Sequence, residues 1–301
     1  VETGERQPLS PLPPPVGFDP ASIAVRQVHY PSKDGVSISM FLVHRHGLEL
    51  SGDHPTYLTA YGGFNISLTP SFRGPILAWL EQGGVFAMPN LRGGGEYGEA
   101  WHRAGMLGHK QNVFDDFIAA AEWLIDQGYT NPKKLAIVGG SNGGLLVGAA
   151  LTQRPELFRA VICAVPLLDM LRYHHFSIAK LWIPEYGSAE DAAAFRWLYA
   201  YSPYHRVVDG TCYPATMLTT AEQDSRVDPL HARKMTALLQ AATSGGDERP
   251  ILLRAETQAG HGVGKPLSKR IAEAADHLAF LGWQLGVDLT ASAKRANSTE
   301  L

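Results

Sequence analysis

The serine at position 141 stands in a pattern typical of a catalytic nucleophile. The segment 139–144 reads Gly-Gly-Ser-Asn-Gly-Gly, so Ser141 has a glycine two residues before it and another two residues after it. An apolar run at 134–139 precedes this segment and a helix-like run follows, the context in which a sharp turn exposes a serine hydroxyl. Glycines fit because the turn is strained and leaves no room for side chains. We therefore predict that Ser141 attacks a carbonyl carbon.

A serine hydroxyl is a weak nucleophile until a base removes its proton, so the pattern requires a histidine and an acid elsewhere. His261 lies in the glycine-rich segment 259–264, after an apolar run at 250–255. Three acids follow the apolar run at 214–221, namely Glu222, Asp224 and Asp228. Position alone favours Asp224 but leaves the other two as competitors. The order Ser, Asp, His along the chain is that of α/β-hydrolases.

The oxyanion that forms during acyl transfer needs two fixed hydrogen-bond donors. The backbone amide of Asn142 is one candidate, because it opens the helix that follows the nucleophile. The segment Tyr61-Gly62-Gly63-Phe64-Asn65 follows an early strand and could supply the second, either from a loop amide or from the Tyr61 hydroxyl. From composition alone, Tyr61 could equally be a core tyrosine at the end of a strand.

Short apolar runs alternate with helix-period segments from residue 56 onward, which predicts an α/β fold with a mostly parallel central sheet and helices on both faces. The turn at 32–35 between two apolar segments predicts a hairpin at the start. Predicted strands are 24–30, 36–44, 56–61, 84–90, 134–139, 158–165, 214–221 and 250–255. Predicted helices are 72–82, 112–127, 142–153, 189–200, 229–242 and 267–285. Each of the catalytic candidates then follows the end of a predicted strand.

Length and composition indicate one catalytic domain. The chain has 301 residues, of which 45% are hydrophobic and 18% charged, as in an ordinary globular protein. We assign 21–288 to this domain, the proline-rich segment 1–20 to an extended linker and 289–301 to a disordered tail. A net charge of −3 without a basic stripe argues against nucleic acid as a partner. The longest apolar stretch, 135–151, is interrupted by the glycines at 139–144, which argues against a membrane span.

Other residues that could bind a ligand form no recognised site. Two cysteines, Cys163 and Cys212, make a disulfide framework improbable and favour a reducing, cytoplasmic location. The glycines at 93–95 lack the lysine and hydroxyl of a phosphate loop. Twelve histidines, including the pair His174-His175, lack the spacing of a zinc motif. We therefore expect neither a metal nor an organic cofactor.

Six segments together resemble the catalytic domain of the prolyl oligopeptidase family, whose members are serine peptidases that cleave after proline. The resemblance spans residues 24–287. It is carried by Tyr-Pro-Ser-Lys-Asp-Gly at 30–35, Tyr-Gly-Gly-Phe-Asn-Ile-Ser at 61–67, Asn-Leu-Arg-Gly-Gly-Gly-Glu-Tyr-Gly at 90–98, Gly-Gly-Ser-Asn-Gly-Gly at 139–144, Asp-Ser-Arg-Val at 224–227 and Ala-Gly-His-Gly-Val-Gly-Lys-Pro at 259–266.

The resemblance implies roles for the residues that the patterns alone left open. It selects Asp224 as the acid and the Tyr61 hydroxyl as the second oxyanion donor. It implies that Trp182 stacks on the proline ring of a peptide substrate, a sensible contact because proline offers a rigid apolar face and no amide hydrogen. It also implies that Arg226 donates to the carbonyl before the proline. Residues expected to line the pocket are Phe64, Leu167, Tyr186 and Val227.

The chain departs from the family pattern in three respects. The family carries an inserted propeller domain that admits only short peptides, and this sequence lacks it, so a propeller domain outside this chain is a candidate partner. Leu167 stands where the family more often has a smaller apolar residue, and Ser225 replaces an acidic residue.

Alternative functions on the same fold are an esterase, an acylaminoacyl peptidase or a peptidase specific for basic residues. For the last of these, Glu185 is a carboxylate close in sequence to the expected pocket. A catalytically idle binding fragment is the alternative from another class.

Overall fold

The computed structural model describes residues 18–71, 73–257, 260–262 and 265–289. Their strands form one eight-stranded sheet in the order β1-β2-β4-β3-β5-β6-β7-β8. Strand bounds are β1 Ile23–Pro31, β2 Ser37–Arg45, β3 Thr56–Thr59, β4 Val85–Pro89, β5 Leu135–Gly140, β6 Ala160–Ala164, β7 Ala215–Ala221 and β8 Ile251–Glu256. The predicted opening hairpin is confirmed, because β1 and β2 pair antiparallel. Strand β2 also pairs antiparallel with β4, and the other neighbours pair in parallel.

Eight α-helices lie within the described ranges. They are α1 Gly74–Glu81, α2 Glu99–Arg103, α3 Gln111–Asp126, α4 Asn142–Gln153, α5 Ile183–Tyr186, α6 Ala192–Tyr201, α7 Leu230–Ala242 and α8 Leu267–Leu285. Six of them match the predicted helices within a few residues. The start predicted for α6, residue 189, was three residues too early, because the Asp191 carboxylate accepts from the Ala194 amide at 2.7 Å and caps the helix there.

Helices cover both faces of the sheet, as the alternation of apolar runs predicted. Along β5, the side chains of Leu135 and Ile137 pack into the core shared with α3, α4 and α7. The intervening Ala136 and Val138 pack into a second core with α1 and α8. Strands β4 to β7 thus bury both of their faces, so the α/β-hydrolase architecture is confirmed.

The predicted linker and tail fall mostly outside the described ranges. Residues 1–17 and 290–301 are not described, so the proposed division into linker, domain and tail stays a prediction. Residues Pro20–Ser22 form a short 3-10 turn capped by Asp19. Among the described helices, none has the length and apolar character that crossing a membrane requires.

Candidate active site

The four parallel strands β5 to β8 end at the same edge of the sheet, where ligand sites of such folds form. Ser141 directly follows β5, Asp224 lies three residues beyond β7, and His261 lies five residues beyond β8. The fold therefore brings together three residues that are 37 to 120 positions apart in the chain.

Ser141 occupies a strained turn between β5 and α4. Its φ of 58° and ψ of −119° lie in a region that non-glycine residues rarely adopt. The turn is anchored to the neighbouring strand, because the Ser141 amide donates to the Ala164 carbonyl at 2.9 Å. A Cβ added at Gly139 would lie 2.0 Å from the Gly143 carbonyl oxygen, so this position tolerates only glycine. The strain and the close approach explain the glycines of the motif.

His261 and Asp224 form a hydrogen-bonded pair. The distance from His261 Nδ1 to Asp224 Oδ2 is 2.7 Å, and the Asp224 side chain is fully buried. Its other oxygen accepts from the amides of Arg226 and Val227, both at 2.9 Å. Buried and with both oxygens bonded, this carboxylate holds the imidazole with Nε2 free to act as a base.

The two competing acids lie in different surroundings. Glu222 is exposed to solvent. Asp228 accepts from the Leu230 amide at 2.9 Å, at the start of α7. The structure thus pairs the histidine with Asp224, the candidate that position favoured.

Tyr61 lies in the loop that leaves β3. Burial raises the pKa of its hydroxyl, and a hydrogen bond with Ser141 and the nearby charge of Arg226 lower it in part. The phenol therefore stays protonated at neutral pH and can donate. This half-buried hydroxyl beside the nucleophile differs from the core tyrosine that composition left open. Asn142 is the first residue of α4, so its amide is one of the helix's free N-terminal donors.

Aromatic rings from two separate segments lie together where the sequence predicts the pocket. Trp182 ends a 3-10 turn that leads into α5, and Tyr186 ends α5 itself. Phe64, from the loop after β3, meets both edge-on, with ring centroids 6.5 Å from Trp182 and 5.5 Å from Tyr186. Leu167 and Val227 are buried, whereas Trp182 remains partly exposed. Of the three aromatic residues, Tyr186 is fully buried, so Trp182 and Phe64 are the ones whose rings solvent or a substrate ring could reach.

Three polar residues beneath this pocket were missed as site residues. The buried Lys110 donates to the Gly62 carbonyl at 2.8 Å and to Asn142 Oδ1 at 3.3 Å. The Glu185 carboxylate accepts from the Phe64 amide at 2.9 Å and pairs with His102 Nε2 at 2.8 Å. The sequence offered one signal for these three residues, namely that Glu185 is adjacent to the predicted pocket residue Tyr186. In the sequence, a buried charged residue cannot be told from a surface one, because the residues that enclose it come from distant parts of the chain.

One group of three described residues has a geometry that could hold a metal ion. The ligand atoms of His174, His175 and Glu190 all lie within 4.8 Å of one another. His175 and Glu190 are exposed, and His174 Nε2 lies 3.5 Å from Glu190 Oε1, an ordinary ion-pair distance. We assign this group no part in the chemistry of Ser141.

Comparison with known proteins identifies the family. A family model described as the prolyl oligopeptidase family matches residues 70–288. The chain belongs to this family. Its relatives include the prolyl endopeptidases of Elizabethkingia meningoseptica, 48% identical over 275 residues, and of Dictyostelium discoideum, 46% identical over 277 residues. Each match covers 91% of this chain but only 39% and 36% of the relative, so the chain spans well under half of their length.

Solved structures of family members share the fold closely. One, from a study of two prolyl endopeptidases, superposes with a TM-score of 0.88 at 55% identity and covers 90% of this chain and 40% of its own. A post-proline cleaving enzyme from Rickettsia typhi gives a TM-score of 0.86 at 36% identity, covering 94% and 40%. The resemblance noted in the sequence motifs is thereby confirmed.

Proposed function

We propose that this chain is the catalytic domain of a serine peptidase that hydrolyses peptide bonds on the C-terminal side of proline. The observation that carries the proposal is the pairing of His261 with the buried Asp224, at the sheet edge where Ser141 sits on a strained turn. The aromatic slot of Phe64, Trp182 and Tyr186 supports proline as the residue that it recognises.

The mechanism assigns each polar group one task. His261 Nε2 takes the proton of the Ser141 hydroxyl as the serine oxygen attacks the carbonyl carbon of the substrate proline. The Tyr61 hydroxyl and the Asn142 amide bind the resulting oxyanion. The C–N bond then breaks, and the leaving amine takes the proton back from His261. Water, activated by the same histidine, hydrolyses the acyl-enzyme. Asp224 keeps the imidazole in the tautomer that has its proton on Nδ1.

Substrate orientation involves the side chains around the slot. The proline ring packs on Trp182, and Phe64, Leu167, Tyr186 and Val227 supply the apolar walls. Arg226 is exposed beside the site and donates to the carbonyl of the residue before proline. These chemical steps consume only peptide and water, so the proposal calls on no metal or organic cofactor.

The first test is the initial rate on two short chromogenic peptides that differ in one residue, proline or arginine, before the leaving group. We expect the wild-type chain to hydrolyse the proline peptide and not the arginine peptide. The Ser141→Ala variant should hydrolyse neither. Faster turnover of the arginine peptide would favour the basic-specific alternative. No turnover by a folded, monodisperse sample would favour the idle fragment.

The alternative substrates have less support. A pocket for a basic side chain needs a buried carboxylate with a free oxygen, and both oxygens of Glu185 already have partners. An esterase or an acylaminoacyl peptidase would not require an aromatic slot shaped for a ring. An assay with an ester and an N-acetylated amino acid amide, run beside the proline peptide, separates these possibilities.

We further propose proline-containing peptides as partners, and a propeller domain as a gate when one is present. These 301 residues alone should then cleave a long unfolded peptide nearly as readily as a short one. A strong preference for the short peptide would contradict this. The low cysteine count supports a cytoplasmic location, which fractionation of the source cells would test.

A further inference from the structure

A buried carboxylate connects the two segments that form the aromatic slot. Glu185 belongs to α5, directly before Tyr186 and three residues after Trp182. Its Oε1 accepts a hydrogen bond from the backbone amide of Phe64, at 2.9 Å, on the opposite wall of the slot. This bond joins residues that are 121 positions apart and ties the two walls together directly.

The loop that receives this bond is held in an uncommon conformation. Phe64 and Asn65 have positive φ angles of 58° and 56°, which non-glycine residues adopt at a cost of about 1 to 3 kcal/mol each. Such a conformation persists only when its surroundings enforce it. The Glu185 carboxylate supplies one such constraint at Phe64 itself, the residue whose ring forms the slot wall.

The second carboxylate oxygen is also engaged. Glu185 Oε2 lies 2.8 Å from His102 Nε2, on α2, and only 5% of the Glu185 residue surface is exposed. A buried carboxylate with both oxygens bonded has few alternative positions, because leaving either partner would expose an unsatisfied polar group. Glu185 is therefore a rigid spacer between α5 and the loop after β3.

We propose that Glu185 is a positioning residue that determines the preference of the slot for proline, by fixing the Phe64 ring relative to Trp182 and Tyr186. This inference rests on the proposed function. A proline ring fills the slot and contacts both walls, so its binding depends on their separation. An alanine side chain contacts less of either wall, so its turnover depends on that separation much less.

The test compares proline and alanine peptides in Glu185→Gln, Glu185→Asp and Glu185→Ala. Gln keeps an oxygen within reach of the Phe64 amide but lacks the charge. Asp keeps the charge but is one carbon shorter and falls out of reach. The matched control is Glu190→Ala, a carboxylate of the following segment that is exposed and pairs with His174. Each variant is measured for kcat and KM on both peptides, and its melting temperature is recorded.

We expect the ratio of kcat/KM for proline to kcat/KM for alanine to fall about 10-fold or more in the Asp and Ala variants. The ratio should stay within about 3-fold of the wild-type value in the Gln and Glu190→Ala variants. A general loss of structure would lower kcat/KM for both peptides by the same factor and leave their ratio unchanged. If Glu185→Ala does not fold, the comparison of Glu185→Asp with Glu185→Gln still tests the inference.

Two results would overturn the inference: an unchanged ratio in Glu185→Asp, or a ratio lost in Gln and kept in Asp, which would assign the effect to charge. Failure of the proposed function looks different. In that case the wild-type chain itself shows no preference for the proline peptide.

Discussion

The turn at 224–227 and the loop at 61–65 both leave parallel strands at the same edge of the sheet, yet they are held in different ways. In the turn, the Asp224 carboxylate accepts from the amides of Arg226 and Val227, two and three residues further along. The side chain that pairs with His261 thus also shapes its own turn.

The loop at 61–65 is held from outside. Lys110 donates to the Gly62 carbonyl, the Asn142 side chain donates to the Tyr61 carbonyl at 2.5 Å, and Glu185 accepts from the Phe64 amide. These three residues come from three different parts of the chain. Tyr186 extends this network, because its hydroxyl donates to Asn142 Oδ1 at 2.8 Å.

The difference teaches where substitutions will act. A substitution in the turn that keeps an acceptor for the amides of Arg226 and Val227 alters one side chain and leaves the turn in place. A change far from the loop can move Tyr61 and Phe64 together, because side chains from other parts of the chain hold the loop. Four predictions test this contrast, in order of decreasing effect.

Asp224→Asn separates the two tasks of the turn's carboxylate. The Asn oxygen can still accept from the loop amides, but its NH2 group faces His261 Nδ1 and favours the wrong tautomer. We expect kcat to fall about 10⁴-fold with the fold retained. Steady-state kinetics and a thermal melt measure both effects. Asp228→Asn, which alters only the start of α7, is the control, and a loss below about 10-fold in Asp224→Asn would contradict the assigned role.

Tyr61→Phe removes the hydroxyl and keeps the ring that the loop positions. We expect kcat to fall about 10² to 10³-fold with little change in KM, because the donor acts on the oxyanion of the transition state. Tyr57→Phe is the matched control, since Tyr57 lies in β3, the strand that leads into the Tyr61 loop, and packs against Phe86 and Trp79. Equal losses in the two variants would mean that general packing, and not the hydroxyl, is responsible.

Lys110→Met tests the support that Lys110 gives to the loop at 61–65, through the pH dependence of the unfolding free energy. Burial lowers the pKa of Lys110 from 10.5 to about 8, with the charge of Glu185 opposing this shift. Between these values the unfolded chain binds more protons than the folded chain, so stability rises with pH. The unfolding free energy of the wild type should therefore increase relative to Lys110→Met between pH 8 and 10.5, by about 3 kcal/mol at most.

Urea titrations of both chains at several pH values measure this difference. Both chains share their other titrating groups, so those contributions cancel in the comparison. A difference in unfolding free energy that stays constant from pH 8 to 10.5 would contradict a buried Lys110 whose pKa is lowered in the folded chain.

Arg226→Met changes the side chain of the turn and keeps the amide that binds Asp224. We expect KM for the proline peptide to rise about 10-fold with kcat nearly unchanged, because one charge-assisted hydrogen bond to substrate is lost. Arg233→Met, an exposed residue of α7, is the control. A parallel fall in kcat would indicate that the Arg226 side chain also maintains the turn.

Much of the fold was predictable because its signals are local and periodic. Helix α3 was predicted as 112–127 and runs Gln111–Asp126, because a sixteen-residue helix repeats its apolar face several times. Helices α2 and α5 were missed, because four or five residues cannot display a period. Strand β3 ends at Thr59, two residues earlier than predicted, where the chain departs toward the loop that contains Tyr61.

By itself, the sequence determined the strained turn at Ser141, the paired glycines that permit it, and the set of acids that could serve His261. These follow from local chemistry, since close backbone approaches admit only glycine and a short turn is bonded by its own residues. Tertiary structure alone decided that Lys110 and Glu185 bond to the loop at 61–65 and that His102 pairs with Glu185. Burial of a charge depends on what the rest of the chain packs around it, which no local pattern encodes.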